Sequence, residues 1–361
     1  DSYTSSDRSV TVRQASYRPF LSATLRQAQA QVADAEANLE KDEQSLAMKV
    51  GEAYFDALLA EDQLDLIRAQ KTTYNAQLDA SRKRLAAGYG VRTDIDEAQA
   101  QLDMTLAREL EARQNVDYTR RRLEVMTVGA ISVLAKLDTL KFSPTPPTPD
   151  SLDAWTQRAE EASPELQSLR AQLDAAGAEI EKAKSGHKPT LDAVAQWSRS
   201  NSDSVTSVNS RYDNKVVGLQ LTVPLYGGGY VSSTVRQAVA IQERAREMLE
   251  AVRRDLGVRV HREFRAVTEG VLKIRALEQA VVSAEQAVLS NQKSFAAGSR
   301  TMLDVLNAEQ QKTLSQRDLA QARYLYLVAR MRLQALAGED REATVNEASS
   351  WLAQQATDKP Q

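Results

Sequence analysis

The sequence predicts a mainly α-helical protein with a small β part, and three observations predict it. The chain repeats itself at an offset of 210 residues, pairing Gly88 with Gly298 and Asp94 with Asp304. The same offset pairs Ile95 with Val305, Ala98 with Ala308, Arg113 with Arg323, Val50 with Val260, Tyr54 with Phe264 and Leu123 with Leu333, so the chain holds two copies of one unit. Long stretches free of Pro carry helix-favouring residues, and short stretches near 190 and 220 alternate apolar with polar side chains.

Composition agrees. Aromatic residues make up 5% and hydrophobic residues 42% of the chain, a balance typical of long helices and coiled coils rather than of a thick core. The net charge of −3 argues against a nucleic-acid partner. Without Cys there is neither a disulfide framework nor thiolate chemistry. No run of about 18 apolar residues offers a membrane-crossing helix.

The elements follow in order. A strand is expected over 8–17, where Val10 and Val12 alternate with Thr11 and Arg13, and Tyr17-Arg18-Pro19 breaks it. A helix over 21–87 follows, with Gly51 its one glycine before the end; at 1.5 Å per residue it runs roughly 100 Å and needs partners along its length. A second helix covers 95–128. Ile95, Leu102, Val116 and Leu123 share one heptad position, interrupted only by Glu109. Ala98, Thr105, Ala112, Thr119 and Met126 share the other, so small residues let a partner helix approach closely. Gly129 ends that run.

Pro144, Pro146, Pro147 and Pro149 mark a stiff non-helical linker. Ser151 and Asp153 open a further helical stretch to about Lys184, restarted at Pro164. Leu191, Ala193, Ala195 and Trp197 form one strand, the polar segment 199–212 follows, and Val217, Leu219, Leu221, Val223 and Leu225 form another. The latter has the span of a tilted membrane strand. Gly227, Gly228 and Gly229 break it. Helices over 231–297 and 305–336 repeat the first pair, with Gly338 as stop signal, and the tail to Gln361 packs locally through Trp351 before fraying. Internal symmetry leaves roughly 60 residues, one helix and one strand, expected ahead of residue 1.

No paired catalytic acids, Ser-His arrangement or phosphate loop appears. His187 and His261 share no motif and read as solvated or packed. The chain is therefore read as no enzyme, with no cofactor.

Three stretches carry a resemblance. They are Leu221-Thr222-Val223-Pro224-Leu225-Tyr226-Gly227-Gly228-Gly229, Gly186-His187-Lys188-Pro189-Thr190-Leu191, and Gly298-Ser299-Arg300-Thr301-Met302-Leu303-Asp304-Val305-Leu306. With the duplicated order of elements, the chain resembles the TolC family of outer-membrane efflux and secretion ducts, its secretion-linked branch more than the lipid-anchored one. The resemblance implies a homotrimer in the outer membrane of a Gram-negative cell, extending into the periplasm. Four strands per chain, three of them visible here, build a 12-stranded barrel in outer-membrane lipid, and long helical hairpins build an α-barrel tunnel. Its partners are a periplasmic adaptor and an inner-membrane transporter of the ABC, RND or MFS class.

On that reading 1–20 is a barrel strand and 21–128 the first helical hairpin. Residues 129–150 are an equatorial linker, 151–187 a tunnel helix and 188–226 a barrel hairpin. The second helical hairpin is 227–337, and 338–361 is an equatorial segment and tail.

The resemblance also assigns residues. Asp304 matches a position whose three copies ring the entrance and could hold a cation plug; read alone, it caps a helix beginning at Val305. Asn307 stands where many members have a second acid. Arg300 matches a basic residue that latches neighbouring helices through Thr93 and Asp94, although 94–97 also reads as a capping box. Phe295 replaces a Tyr of that network. Gly88 and Gly298 mark the tips where an adaptor docks, and each also reads as a left-handed helix cap. Lys182, Lys184 and Lys188 are expected near the membrane interface. The rival readings are a soluble coiled-coil scaffold or adaptor without a pore, and a helical enzyme.

Overall fold

The computed structural model describes residues 5–131, 133–204 and 207–353. The expectations for the tail beyond 353 and for residues 1–4 lie outside them. The elements run β1 (Ser5–Tyr17), α1 (Pro19–Ala86), α2 (Arg92–Thr127), α3 (Leu152–Ala162), α4 (Pro164–Lys184), a 3-10 turn (Ser185–His187), β2 (Thr190–Ser204), β3 (Ser207–Thr222), α5 (Tyr230–Ala296), α6 (Met302–Leu336) and α7 (Arg341–Ser350). The ends of α1 and α2 recur in α5 and α6 at the offset of 210 to within one residue. Contacts divide the chain into two units. One comprises 1–39 with 164–253, the other 40–163 with 254–361.

The first unit holds the sheet, ordered β1-β2-β3 and antiparallel throughout. The strand breaks after Tyr17 as expected, and the helix starts at Pro19 rather than 21, since Pro at the first helical position gives up an amide that has no partner there anyway. The polar segment 199–212 is not a connector. β2 continues to Ser204 and β3 begins at Ser207, because ladder hydrogen bonds form regardless of side-chain polarity. Below the sheet, Arg18 Nε donates to Asp192 Oδ1 at 2.8 Å, and a second nitrogen of the same guanidinium pairs with the other oxygen. Asp192 is 4% exposed, so this bidentate bond supplies the polar partner that its burial requires. α4 lies against the start of α1 through Gln27–Glu179 and Ser168–Asp34. It meets α5 through Ile180, Ala183 and Ala238.

The second unit is built from the remaining lengths of α1 and α5 with α2, α3, α6 and α7. The α2 seam is buried at Ala98, Leu102, Thr105, Val116, Thr119 and Leu123. Glu109 does not interrupt it. Its carboxylate is buried with the others and accepts from Lys71 Nζ at 2.7 Å and from Arg113 Nη2 at 2.5 Å. Those two cations hold its pKa below the usual carboxylate range.

α2 ends at Thr127, and Val128, not Gly129, takes the left-handed cap conformation at φ 54. The described residues of the linker over 129–150 form no helix and are held by tyrosines on two helices. The Tyr54 hydroxyl donates to the Ala135 carbonyl and accepts from its amide, both at 3.0 Å. Tyr326 bonds Thr145 the same way at 2.8 and 3.0 Å.

Sequence reasoning expected the segment after Gly338 to pack locally through Trp351 but read no helix there, and it contains α7, capped by Asp340. Trp351 then packs edge-on against Phe142, and the segments around 137 and 352 form a short antiparallel bridge. Gly338 has φ +69, and a Cβ there would lie 2.3 Å from that of Ala162. Gly338→Ala should cost about 2 kcal/mol or more, from backbone strain and overlap together, read as a lowered thermal midpoint of the helical circular dichroism. Gly88→Ala, strained but in open space, should cost about 1 kcal/mol.

Candidate functional site at the hairpin tips

Both tips lie in the second unit. α1 and α5 end in matching turns. Gly88 N–H donates to Leu85 O at 3.0 Å and Tyr89 N–H to Arg84 O at 3.2 Å. Gly298 N–H donates to Phe295 O and Ser299 N–H to Ser294 O, both at 2.9 Å. These bonds satisfy carbonyls that the last helical turn leaves open. They require positive φ, which is 83° at Gly88 and 78° at Gly298. Nothing stands within 4 Å of where either glycine's Cβ would be. The expected cap conformation is present, and both tips are open.

Past the turns the two copies diverge. In the second, Thr301 is the N-cap of α6: its hydroxyl accepts from the Asp304 amide, while Asp304 Oδ2 accepts from the Thr301 amide at 2.9 Å. This is a capping box, so Asp304 closes the box from the third helical position rather than capping a helix beginning at Val305. Arg300 Nη1 lies 3.5 Å from Asp304 Oδ1. The Thr301 amide, then its hydroxyl, then Arg300 hold the Asp304 carboxyl below the usual range.

At the matching place in the first copy stands Val91, which has no side-chain oxygen and makes no cap bond. The capping box read over 94–97 is absent, because α2 already begins at Arg92. The match of Arg300 is Gly90, where a Cβ would lie 2.5 Å from the Leu85 nitrogen. Sequence reasoning singled out neither Thr301 nor Gly90; the offset of 210 applied to 90 and 91 is the signal that finds them.

A core made of Tyr74 and Leu78 from α1, Ala98 and Leu102 from α2, and Met302, Val305 and Leu306 from α6 ties the tips together. Ile95 and Phe295 pack against it. Phe295 lies under the Arg84 guanidinium, 4.5 Å from the ring centroid, a cation–π contact that needs no phenol hydroxyl. Thr93 and Asn307 are exposed and Asp94 is half-buried. Among the described residues Arg300 bonds Asp304, and neither Thr93 nor Asp94 bonds Arg300. No group of three or more metal-ligating side chains forms among them either. His187 and His261 are exposed.

The sheet of the first unit supplies a second surface. Register places Val12, Ala195 and Val217 on one rung, Val10, Trp197 and Lys215 on the next, and Tyr17, Leu191 and Leu221 at the helix end, all on one face. Val12 is 62%, Val217 86% and Leu221 64% exposed. At the far end this face turns polar. Asp213 accepts from Trp197 Nε1 at 2.8 Å and from Arg199 at 2.7 Å. The opposite face carries Arg13, Asp192, Gln196 and Gln220. An apolar outer band with an aromatic edge over a polar inner face is the pattern of a membrane barrel wall. No described helix is long and apolar enough to cross a membrane. Lys182 sits over the Phe20 ring at 5.6 Å and pairs with Glu179 near the helix end of this sheet.

The capping box carries a pH dependence. A carboxyl with a lowered folded pKa stabilises above its unfolded pKa, and that contribution is lost as pH falls through the folded value. Thr301→Val removes the hydroxyl that donates to Asp304 Oδ2 and leaves the backbone amide in place. The Asp304 carboxyl, followed by NMR titration, should move up towards the ordinary value, and the helix start should lose about 1 kcal/mol.

The family model described as outer membrane efflux protein matches residues 15–128 and 155–339, omitting most of the linker. The alkaline protease secretion protein AprF of Pseudomonas aeruginosa is 39% identical over 82% of this chain and 62% of its own length. The proteases secretion protein PrtF of Dickeya chrysanthemi is 35% identical over 86% of this chain and 67% of its own. This chain thus spans about three-fifths of AprF. The crystal structure of the outer membrane protein VceC from Vibrio cholerae superposes with a TM-score of 0.78 at 17% identity, covering 94% of this chain and 88% of that one. The fold is that of the TolC-like channels, and the chain belongs to the outer membrane efflux protein family.

Proposed function

We propose that the protein is a passive exit duct of a tripartite efflux or type I secretion system. A homotrimer places the sheet in outer-membrane lipid as part of a barrel and the helical hairpins in the periplasm as a tunnel. Substrate arrives from an inner-membrane transporter through a periplasmic adaptor, and the energy is theirs. The observation that carries this reading is the two-faced sheet on a chain of long paired helices. Its apolar rungs, exposed at Val12, Val217, Leu219 and Leu221, end where Trp197 and Arg199 both bond Asp213. A soluble scaffold would have to leave that apolar face in water.

Roles at the tips follow from the same reading. Gly88 and Gly298, bare and open, form the adaptor-docking tips. Asp304, with Asn307 one turn on, faces the entrance from each copy, so any cation plug needs carboxylates from three chains. Arg300 latches the entrance by crossing to Thr93 and Asp94 of a neighbouring hairpin. Phe295 serves the latch by packing rather than through a hydroxyl.

Single-channel recording of the intact protein in planar bilayers tests the reading. Asp94→Ala and Arg300→Ala should each raise conductance several-fold, and the double variant should do little more, since both remove one contact. Unchanged conductance in all three would sink the latch. A protein that forms no channel in bilayers would sink the duct.

A further inference from the structure

We propose that the lipid-facing side of the sheet carries, beyond its apolar band, a docking patch for the phosphates of outer-leaflet lipopolysaccharide. The proposal rests on the reading of this sheet as a barrel wall whose helix end points into the periplasm. The patch follows from the register. One rung joins Val10, Trp197 and Lys215, the next Arg8, Arg199 and Asp213, and the next Ser6, Asn201 and Arg211. These rungs continue the face that holds Val12, Val217 and Leu221. Four cations thus stand on that face with one carboxylate among them. The rungs between them point the other way, and they carry Ser9, Ser198 and Asn214, then Asp7, Ser200 and Tyr212. Those inward rungs hold no Lys or Arg. Solubility alone gives no reason for all four cations to share one face.

Their pairing leaves the patch short of anions. Asp213 is spent on Trp197 Nε1 at 2.8 Å and on Arg199 Nη2 at 2.7 Å. The Arg199 guanidinium also lies over the Trp197 ring, 5.5 Å from its centroid, and its buried Nε has no acceptor among the described residues. Arg8 stands directly across from Arg199, and like charges so placed destabilise a strand pair unless an anion sits between them. Arg8, Arg211 and Lys215 are exposed, with no second carboxylate on their rungs.

Height selects the partner. From Leu221 to Asp213 β3 advances about 27 Å, which is about 20 Å of height at the usual tilt of a barrel strand. The cations therefore sit at the far margin of the apolar band, where headgroups begin, on the side of the membrane away from the helices. Anionic lipid in that leaflet is phosphorylated glycolipid, whose crowded phosphates need cations between them. Arginine holds a phosphate through two parallel N–H bonds, and the Trp197 indole suits such an interface. Across three strands and three rungs the patch measures about 10 by 14 Å, enough for more than one phosphate.

Native mass spectrometry of the intact protein, titrated with purified lipopolysaccharide, tests this. Wild type should retain the lipid, and stripping the lipid of its phosphates should weaken binding about tenfold or more. Arg8→Gln, Arg211→Gln and Lys215→Gln should each weaken it about fivefold, and the triple variant about a hundredfold. Arg211→Lys should lose less than Arg211→Gln, since the charge stays. Arg199 is left in place, because its removal strands Asp213. Phosphatidylglycerol, with one charge per headgroup, should compete poorly. If it competes as well as lipopolysaccharide, or if wild type binds the dephosphorylated lipid equally, the proposal is overturned, and neither result needs a variant that folds. If the Gln variants bind like wild type and wild type forms channels in planar bilayers, the patch is wrong while the duct reading stands. If wild type forms no channel, the duct reading falls and the patch with it.

Discussion

A helix of 67 or 68 residues cannot hold itself together in water. Its own propensity is too small, and its stability must come from another helix lying against it in register. Everything else in this chain serves that requirement. The turns at Gly88 and Gly298 reverse the chain within a few residues and so fix which residues of α1 face α2 and which of α5 face α6. A left-handed residue at each tip makes the reversal that short. Moving either glycine by one position would rotate the following helix by about 100° and misplace its whole seam.

That requirement also explains what could be read from sequence and what could not. The long helices, their ends and the paired tips were visible because they depend on local propensity, heptad spacing and glycine. The strands were visible only where one face is apolar. Between Arg199 and Tyr212 the sequence is mostly polar and shows no alternation, and the described pairing rests on backbone bonds that composition does not reveal. Glu109 looked like a flaw in the α2 seam because its two cations come from different places, Lys71 on another helix and Arg113 one turn on. The linker looked free because the hydroxyls of Tyr54 and Tyr326 reach it from 81 and 181 residues away. At the candidate site the acid at 304 was found and its partner Thr301 was not, since Asp304 itself was read as the N-cap, three residues past the real one.

The two copies have kept their architecture while their chemistry differs, at the seam, where Leu319 answers to Glu109, and just past the turns. Helix ends, glycine turns and the bonds that close them coincide. The residues just past the turns do not: Arg300 and Thr301 answer to Gly90 and Val91, and Met302 and Leu306, both buried, answer to Arg92 and Asp96, which pair in solvent. One tip is thus apolar inward with its acid neutralised, and the other is polar outward with its acid unspent. In the proposed duct this difference assigns the tips different work. The second hairpin makes the wall of the entrance, and the first offers a carboxylate to a neighbour.

The central claim is that copies of this chain close into a tube, with the sheets in lipid and the hairpins outside it. The most direct measurement is the mass and shape of the intact protein in detergent, by light scattering and particle imaging. The account predicts a trimer with three-fold symmetry, a detergent belt around the sheet end and a hollow helical body several times longer than that belt is thick. A monomer, or a dimer that binds no detergent, would contradict it.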